Sequence, residues 1–111
     1  MEGCTINETK IYVGLNDSET LIQKHDTEKY IGVLKIVCQS YHVAFSFCVQ
    51  QGGYFHEDGR FTQENTLVLS LIDADSTTVN KIAKDLCAFF HQESVMITES
   101  PVSMHFIRET I

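Results

Sequence analysis

Residues 43–72 read VAFSFCVQQGGYFHEDGRFTQENTLVLSLI, and their alternation is that of one long β-hairpin. Val43, Phe45, Phe47 and Val49 alternate with Ala44, Ser46, Cys48 and Gln50, the period of a strand with one buried face. Leu67, Leu69 and Leu71 repeat that period on the return. Between them lies Asp58-Gly59, the kind of dipeptide that tolerates the positive φ angles of a type I′ turn. A two-residue turn there would set Val49 against Val68 and Phe47 against Ser70, sending the two apolar sets to opposite faces. One extra residue at Gly52-Gly53 restores the match. The sequence therefore predicts a bulge at these glycines, with Val49 facing Leu67, Phe47 facing Leu69 and Phe45 facing Leu71.

The flanks supply the rest of a sheet and two helices. Ile11, Val13 and Leu15 alternate through residues 9–15 as a first strand, and residues 1–8 are expected to form a loose arm before a single domain over residues 9–111. Asp26 or Thr27 can cap a helix whose apolar stripe is Tyr30, Ile31, Leu34, Val37, Cys38 and Tyr41. After Asp73-Ala74-Asp75-Ser76, a second stripe of Val79, Ile82, Ala83, Leu86, Phe89 and Phe90 is the clearest amphipathic pattern in the chain. A last strand begins at Val95, is interrupted by Pro101 and resumes through Val102, Met104 and Phe106. A proline there marks an edge.

The order β-α-β-β-α-β predicts an α+β, ferredoxin-like fold, an antiparallel sheet with two helices on one face and a long central hairpin. In this reading the first and third strands are central and parallel, and so are the two helices. The other face of the sheet, with Tyr12, Ala44, Ser46, Cys48, Val68 and Ser70, is left open. Such a face suits a ligand or a second copy of the chain, and a two-fold dimer is the expected assembly.

At 111 residues there is room for one core. No apolar run reaches the roughly 18 residues a membrane helix needs, and Met1-Glu2-Gly3-Cys4 lacks a signal-peptide pattern, so a cytoplasmic protein is expected. Fifteen acidic against eight basic residues give a net charge of −7, which argues against direct contact with nucleic-acid phosphates and for a basic protein partner. Four unclustered cysteines do not suggest a disulfide framework.

Two residue sets invite chemistry. Cys38 with His42 and Cys87 with His91 repeat one spacing near the ends of the two helices. If those helices are parallel, both pairs lie at one end and can converge as a Cys₂His₂ site for zinc, with small core cysteines and helix-terminal histidines as the structural alternative. The hairpin tip, Tyr54, Phe55, His56, Glu57 and Asp58, together with Glu64, sets aromatics beside charges as protein interfaces do. No Gly-x-Ser-x-Gly elbow, Walker loop or His-Glu-x-x-His helix occurs, so an enzyme is not expected.

The run Phe90-His91-Gln92-Glu93-Ser94-Val95, then Ser100-Pro101-Val102 and Phe106, with Tyr12-Val13-Gly14-Leu15 and Glu64 earlier, resembles a family of small uncharacterised bacterial and mobile-element proteins. That resemblance implies a compact ferredoxin-like domain and names no reaction. In profile, a lone acidic domain without a catalytic motif is similar to phage-encoded anti-CRISPR proteins, which implies an inhibitor docked on a basic RNA-guided nuclease. The function expected is thus a non-enzymatic protein-binding module. A zinc-stabilised or small-ligand-binding regulatory domain is the alternative.

Overall fold

The computed structural model describes residues 4–110, in the order β1 (Cys4–Gly14), α1 (Thr27–Ser40), β2 (Ser46–Phe55), β3 (Phe61–Ile72), α2 (Ser76–Phe89) and β4 (Met96–Met104). The four strands form one antiparallel sheet in the order β2-β3-β1-β4. This is the ferredoxin-like α+β arrangement, with both helices on one face. Among the described residues no helix is long and apolar enough to cross a membrane.

The parity of the strands decides what is buried. Thr9, Ile11 and Val13 of β1 and Leu67, Leu69 and Leu71 of β3 turn toward the helices and are almost wholly covered. From the helices they meet Tyr30, Ile31, Leu34, Val37 and Cys38, and Val79, Ile82, Ala83 and Leu86. Even-numbered residues face the other way, and there Val68 is covered while paired with Tyr12 on one side and Cys48 on the other.

The hairpin register is the expected one, reached by a different device. Phe47 pairs with Leu69 and Val49 with Leu67, yet the ladder runs without a bulge through Gly52↔Glu64 and Gly53↔Gln63 to Phe55↔Phe61. His56 donates its N–H to the Arg60 carbonyl at 2.8 Å, so the loop is Glu57-Asp58-Gly59, three residues rather than two. Gly59, at φ 89°, takes its left-handed last position, as three-residue hairpin loops require. The odd residue that corrects the parity is in the turn. Gly53 has another use, since a Cβ there would strike the Phe61 ring, which lies over it. Phe45 precedes β2 and packs against the core instead of joining the ladder.

Five further expectations are corrected. Strands β1 and β3 are antiparallel neighbours, because α1 returns the chain to β2 on the far side of β3. The hairpin is accordingly central only in β3, and β2 is an edge. Residues 4–8, expected as an arm, belong to β1 and pair with β4 from Glu8↔Ser100 to Cys4↔Met104, while residues 1–3 lie outside the described residues. Strand β4 passes uninterrupted through Pro101, opposite Asn7, which the predicted edge position allows. Phe89 lies off the buried stripe and is 61% exposed.

The sheet outruns its helices at both ends. The hairpin projects past Gly14↔Thr66, and β1 with β4 project past Glu8↔Ile72 at the opposite end. Hence the molecule measures 58 × 29 × 29 Å, with a radius of gyration of 16.3 Å. A compact chain of this length would have about 13 Å.

Candidate functional site

The best-defined polar site lies on the helix-free face, around Glu64. Its carboxylate rests on Gly14, where an added Cβ would come within 2.5 Å of Oε2. Glycine is therefore what lets the carboxylate lie flat against β1. Asn16 donates its backbone N–H to Glu64 Oε2 at 3.1 Å. Directly opposite Glu64 in the ladder is Gly52, and nothing stands within 4 Å of where its Cβ would be. The carboxylate is thus held from one side and faces free space on the other. No ion-pair partner reaches it among the described residues.

Asn16 fixes the surrounding loop. Its side-chain Nδ2 donates to the Gln63 carbonyl at 3.1 Å, and its own carbonyl accepts from Gln92 Nε2 at 2.6 Å. Next to it Asp17 is buried, accepting from the backbone N–H groups of Glu19 at 2.9 Å and Thr20 at 3.2 Å and pairing with Lys24 at 3.3 Å. The Glu19 N–H first, then the Thr20 N–H and Lys24, hold its carboxyl below the usual range despite desolvation. Two shallow cavities flank Glu64. One, of about 240 Å³, runs between Asn16, Tyr54, Glu64 and Gln92 to Ser94, and the other, of about 300 Å³, lies over Gln51, Gln63 and Asn65.

Of the expected interface residues, Tyr54 and Glu64 line one cavity. His56 lies on the same side as Tyr54, with ring centroids 5.1 Å apart, and bonds to Thr62 Oγ1 through Nε2 at 2.6 Å. Phe55 is on the other side of the hairpin, against Phe61 at 5.1 Å. Asp58 receives the Arg60 backbone N–H at 3.1 Å and Nε at 2.7 Å, so its charge is met within the turn and its carboxyl is held low. Glu57 is an exposed turn residue.

The Cys₂His₂ convergence does not form. Because β1 and β3 are antiparallel, so are the helices that follow them: His42 at the end of α1 shares a cavity with Asp75 at the start of α2, whereas His91 lies near His25, before α1. The two Cys-His pairs sit at opposite ends of the helical layer, and among the described residues no group of three or more His, Cys, Asp or Glu is placed to hold a metal. Their shared spacing has a backbone cause. In α1, Val43 N–H bonds to the Cys38 carbonyl and His42 N–H to that of Gln39; in α2, Gln92 N–H bonds to Cys87 and His91 N–H to Ala88. That is the Schellman ending twice, with each histidine in the left-handed position, at φ 55° and 53°. Leaving the helical path, His42 and His91 diverge from the cysteines four residues earlier. Burial pushes the Cys38 thiol up to about 11, and the Cys87 thiol donates to the Gln92 carbonyl at 3.0 Å.

Gly14, Asn16, Gly52 and Gln92 were missed as site residues, since none belongs to a local chemical motif. The only signal was in the resembled segments: Gly14 touches Glu64, and Gln92 joins Asn16, so three stretches distant in sequence meet at one cavity.

No protein-family model matches the chain, and no curated protein matches it. Among solved structures it is similar to a phage SAM lyase in complex with S-methyl-5′-thioadenosine, with 21% identity, 89% of this chain and 88% of that one covered, and a TM-score of 0.65. A phage SAM lyase in its apo state is 20% identical, over 97% of this chain and 94% of that one, with a TM-score of 0.66. At this identity the likeness establishes the fold.

Proposed function

We propose that the Glu64 cavity binds the sulfonium of S-adenosylmethionine, and that the chain cleaves this molecule to S-methyl-5′-thioadenosine. One observation carries the reading: a carboxylate seated on glycine, without an ion-pair partner among the described residues, lining one cavity with Tyr54 and facing open space. A sulfonium is a permanent cation with no N–H or O–H to donate, so a carboxylate and an aromatic face are the groups suited to recognise it. The structural likeness to a phage SAM lyase, once with S-methyl-5′-thioadenosine bound, supports the same substrate.

The reaction asks for no nucleophile from the chain. A carboxylate oxygen of the substrate attacks its own Cγ, the Cγ–S bond breaks, and the electron pair goes to sulfur. The products are the neutral thioether and homoserine lactone, with no proton moved and no co-reactant consumed. What the protein supplies is the folded conformation of the substrate, and orientation of this kind can be worth several kcal/mol of barrier. A set of residues without an elbow, loop or triad motif is compatible with such chemistry. Glu64 acts here as a binding residue, since its attraction weakens as sulfur becomes neutral, which favours release of the thioether.

The test follows from that charge change. In Glu64→Gln, affinity for S-adenosylmethionine should fall about tenfold or more, while affinity for S-methyl-5′-thioadenosine should hardly change, as measured by calorimetric titration of both. Equal losses for both ligands, or no binding of S-adenosylmethionine to the unaltered chain, would remove the reading.

A second reading, an inhibitor that docks on a basic RNA-guided nuclease, is favoured by the hairpin tip, where Phe55 and Phe61 are 73% and 58% exposed on a chain of net charge −7. In this reading aromatics anchor and charges steer. A Phe55→Ala, Phe61→Ala double variant should lose nuclease binding in a pull-down, and binding by the unaltered chain should weaken with salt. Failure of the unaltered chain to bind or inhibit nucleases of plausible hosts would end it.

A further inference from the structure

On the helical side, a second cavity of about 350 Å³ opens between the start of α1 and the end of α2 and shares Asp17 with the Glu64 cavity. Its volume is within the range of small-molecule sites. The walls carry Lys24, Lys29, His25 and His91, and the one carboxylate among the lining residues is Asp17, already paired with Lys24 at 3.3 Å. Lys29 forms no ion pair among the described residues; its Nζ lies 3.5 Å from His25 Nδ1. In a chain with eight Lys and Arg against fifteen Asp and Glu, two lysines face this cavity with one acid, while the neighbouring Asp26 and Glu28 are not among its lining residues. Anions are drawn to paired lysines of this kind, with Lys29 the one that carries no ion pair among the described residues.

The floor of the same cavity is aromatic. Tyr30 and Phe90 are buried and meet edge to face, with ring centroids 5.1 Å apart. Phe89 lines the cavity too, yet it is 61% exposed. Its solvent-exposed ring is available for a second ring to stack on. Cations and an exposed aromatic at one cavity select a ligand that is both anionic and flat.

We propose that this cavity binds a nucleoside monophosphate, with the base against Phe89 and the phosphate between Lys24 and Lys29. The site adjoins the Glu64 cavity, with Asp17 lining both, but none of the groups proposed to hold the nucleotide belongs to that cavity, and it does not depend on the lyase reading. The probes are adenosine monophosphate, adenosine and inorganic phosphate, each titrated into the full chain by calorimetry at low ionic strength. Adenosine monophosphate should bind in the submillimolar range, and the two fragments about tenfold or more weaker each, because neither engages both halves of the site.

A Lys24→Gln, Lys29→Gln double variant should lose adenosine monophosphate about tenfold, and Lys29→Gln alone, which breaks no ion pair, should lose part of that affinity while keeping its melting temperature. Phe89→Ala should weaken the nucleotide and leave phosphate unchanged. Glu64→Gln should leave nucleotide binding intact, which separates this site from an adenosyl group in the other cavity. Adenosine binding as tightly as its monophosphate, nucleotide affinity unmoved by the lysine double variant, or no nucleotide binding in the millimolar range would each overturn the proposal.

Discussion

Leu69→Ala should lower stability by about 3 kcal/mol and the melting temperature by about 10–15 °C for a chain of this size. Leu69 is fully buried, and it pairs with Ile11 on one side and Phe47 on the other, so the cavity would open in the middle of the sheet under both helices. Neighbours anchored in strands cannot collapse into that space without breaking ladder bonds. Val49→Ala is the matching control. Val49 shares the face and the ladder with Leu67, but it is 43% exposed where the hairpin begins to outrun the helices, and its truncation should cost less than about 1 kcal/mol. Equal losses in thermal and urea unfolding would mean that the helices do not cover the sheet as described.

The difference between those two positions also marks how far the sequence could be read. Alternation placed Phe47, Val49, Leu67 and Leu69 on one face because parity is a local property, and any device that adds one residue to the connection preserves it. Which device is used is not local. Asp58-Gly59 suits the centre of a two-residue turn and equally the end of a three-residue one, and the choice is made by the His56-Arg60 pairing. Helix direction failed for a related reason. Cys38, His42, Cys87 and His91 share a spacing because both helices end in the same backbone motif, and a repeated spacing carries no information about whether two helices run together or opposed. Only the strand order, with β3 between β1 and β2, settles that.

The Glu64 site was legible in part. Glu64 and Tyr54 were picked out as polar and aromatic residues of an exposed hairpin, which is correct for their place and silent about what surrounds them. The supporting groups come from the end of β1, the loop after it, the facing edge strand and the end of α2. Gly14, Asn16, Gly52 and Gln92 act through absence of a side chain or through bonds to backbone, so their residue types do not announce chemistry. A substrate that carries its own nucleophile would deepen that silence, since such a site needs shape and one charge in place of a catalytic motif.

Gly14→Ala should separate fold from site more sharply than any other substitution. A methyl group at Gly14 would lie 2.5 Å from Glu64 Oε2 and 2.7 Å from its Cδ, closer than non-bonded atoms tolerate, so one partner has to move. The Glu64 carboxylate is the far end of a flexible side chain with free space toward Gly52, and it moves at little cost. Gly14 does not occupy a left-handed conformation, and alanine reduces the freedom of the unfolded chain, so the melting temperature should stay within a few degrees of the unaltered protein. The moved carboxylate gives up the Asn16 N–H and its seat on β1. Affinity for S-adenosylmethionine should then fall about tenfold or more, approaching the loss in Glu64→Gln, and the Gly14→Ala, Glu64→Gln double variant should be little worse than either alone. Full additivity of the two losses in the calorimetric cycle would show that Gly14 does not act through the carboxylate. Unchanged affinity in Gly14→Ala would show that the position of Glu64 on β1 is immaterial to the ligand.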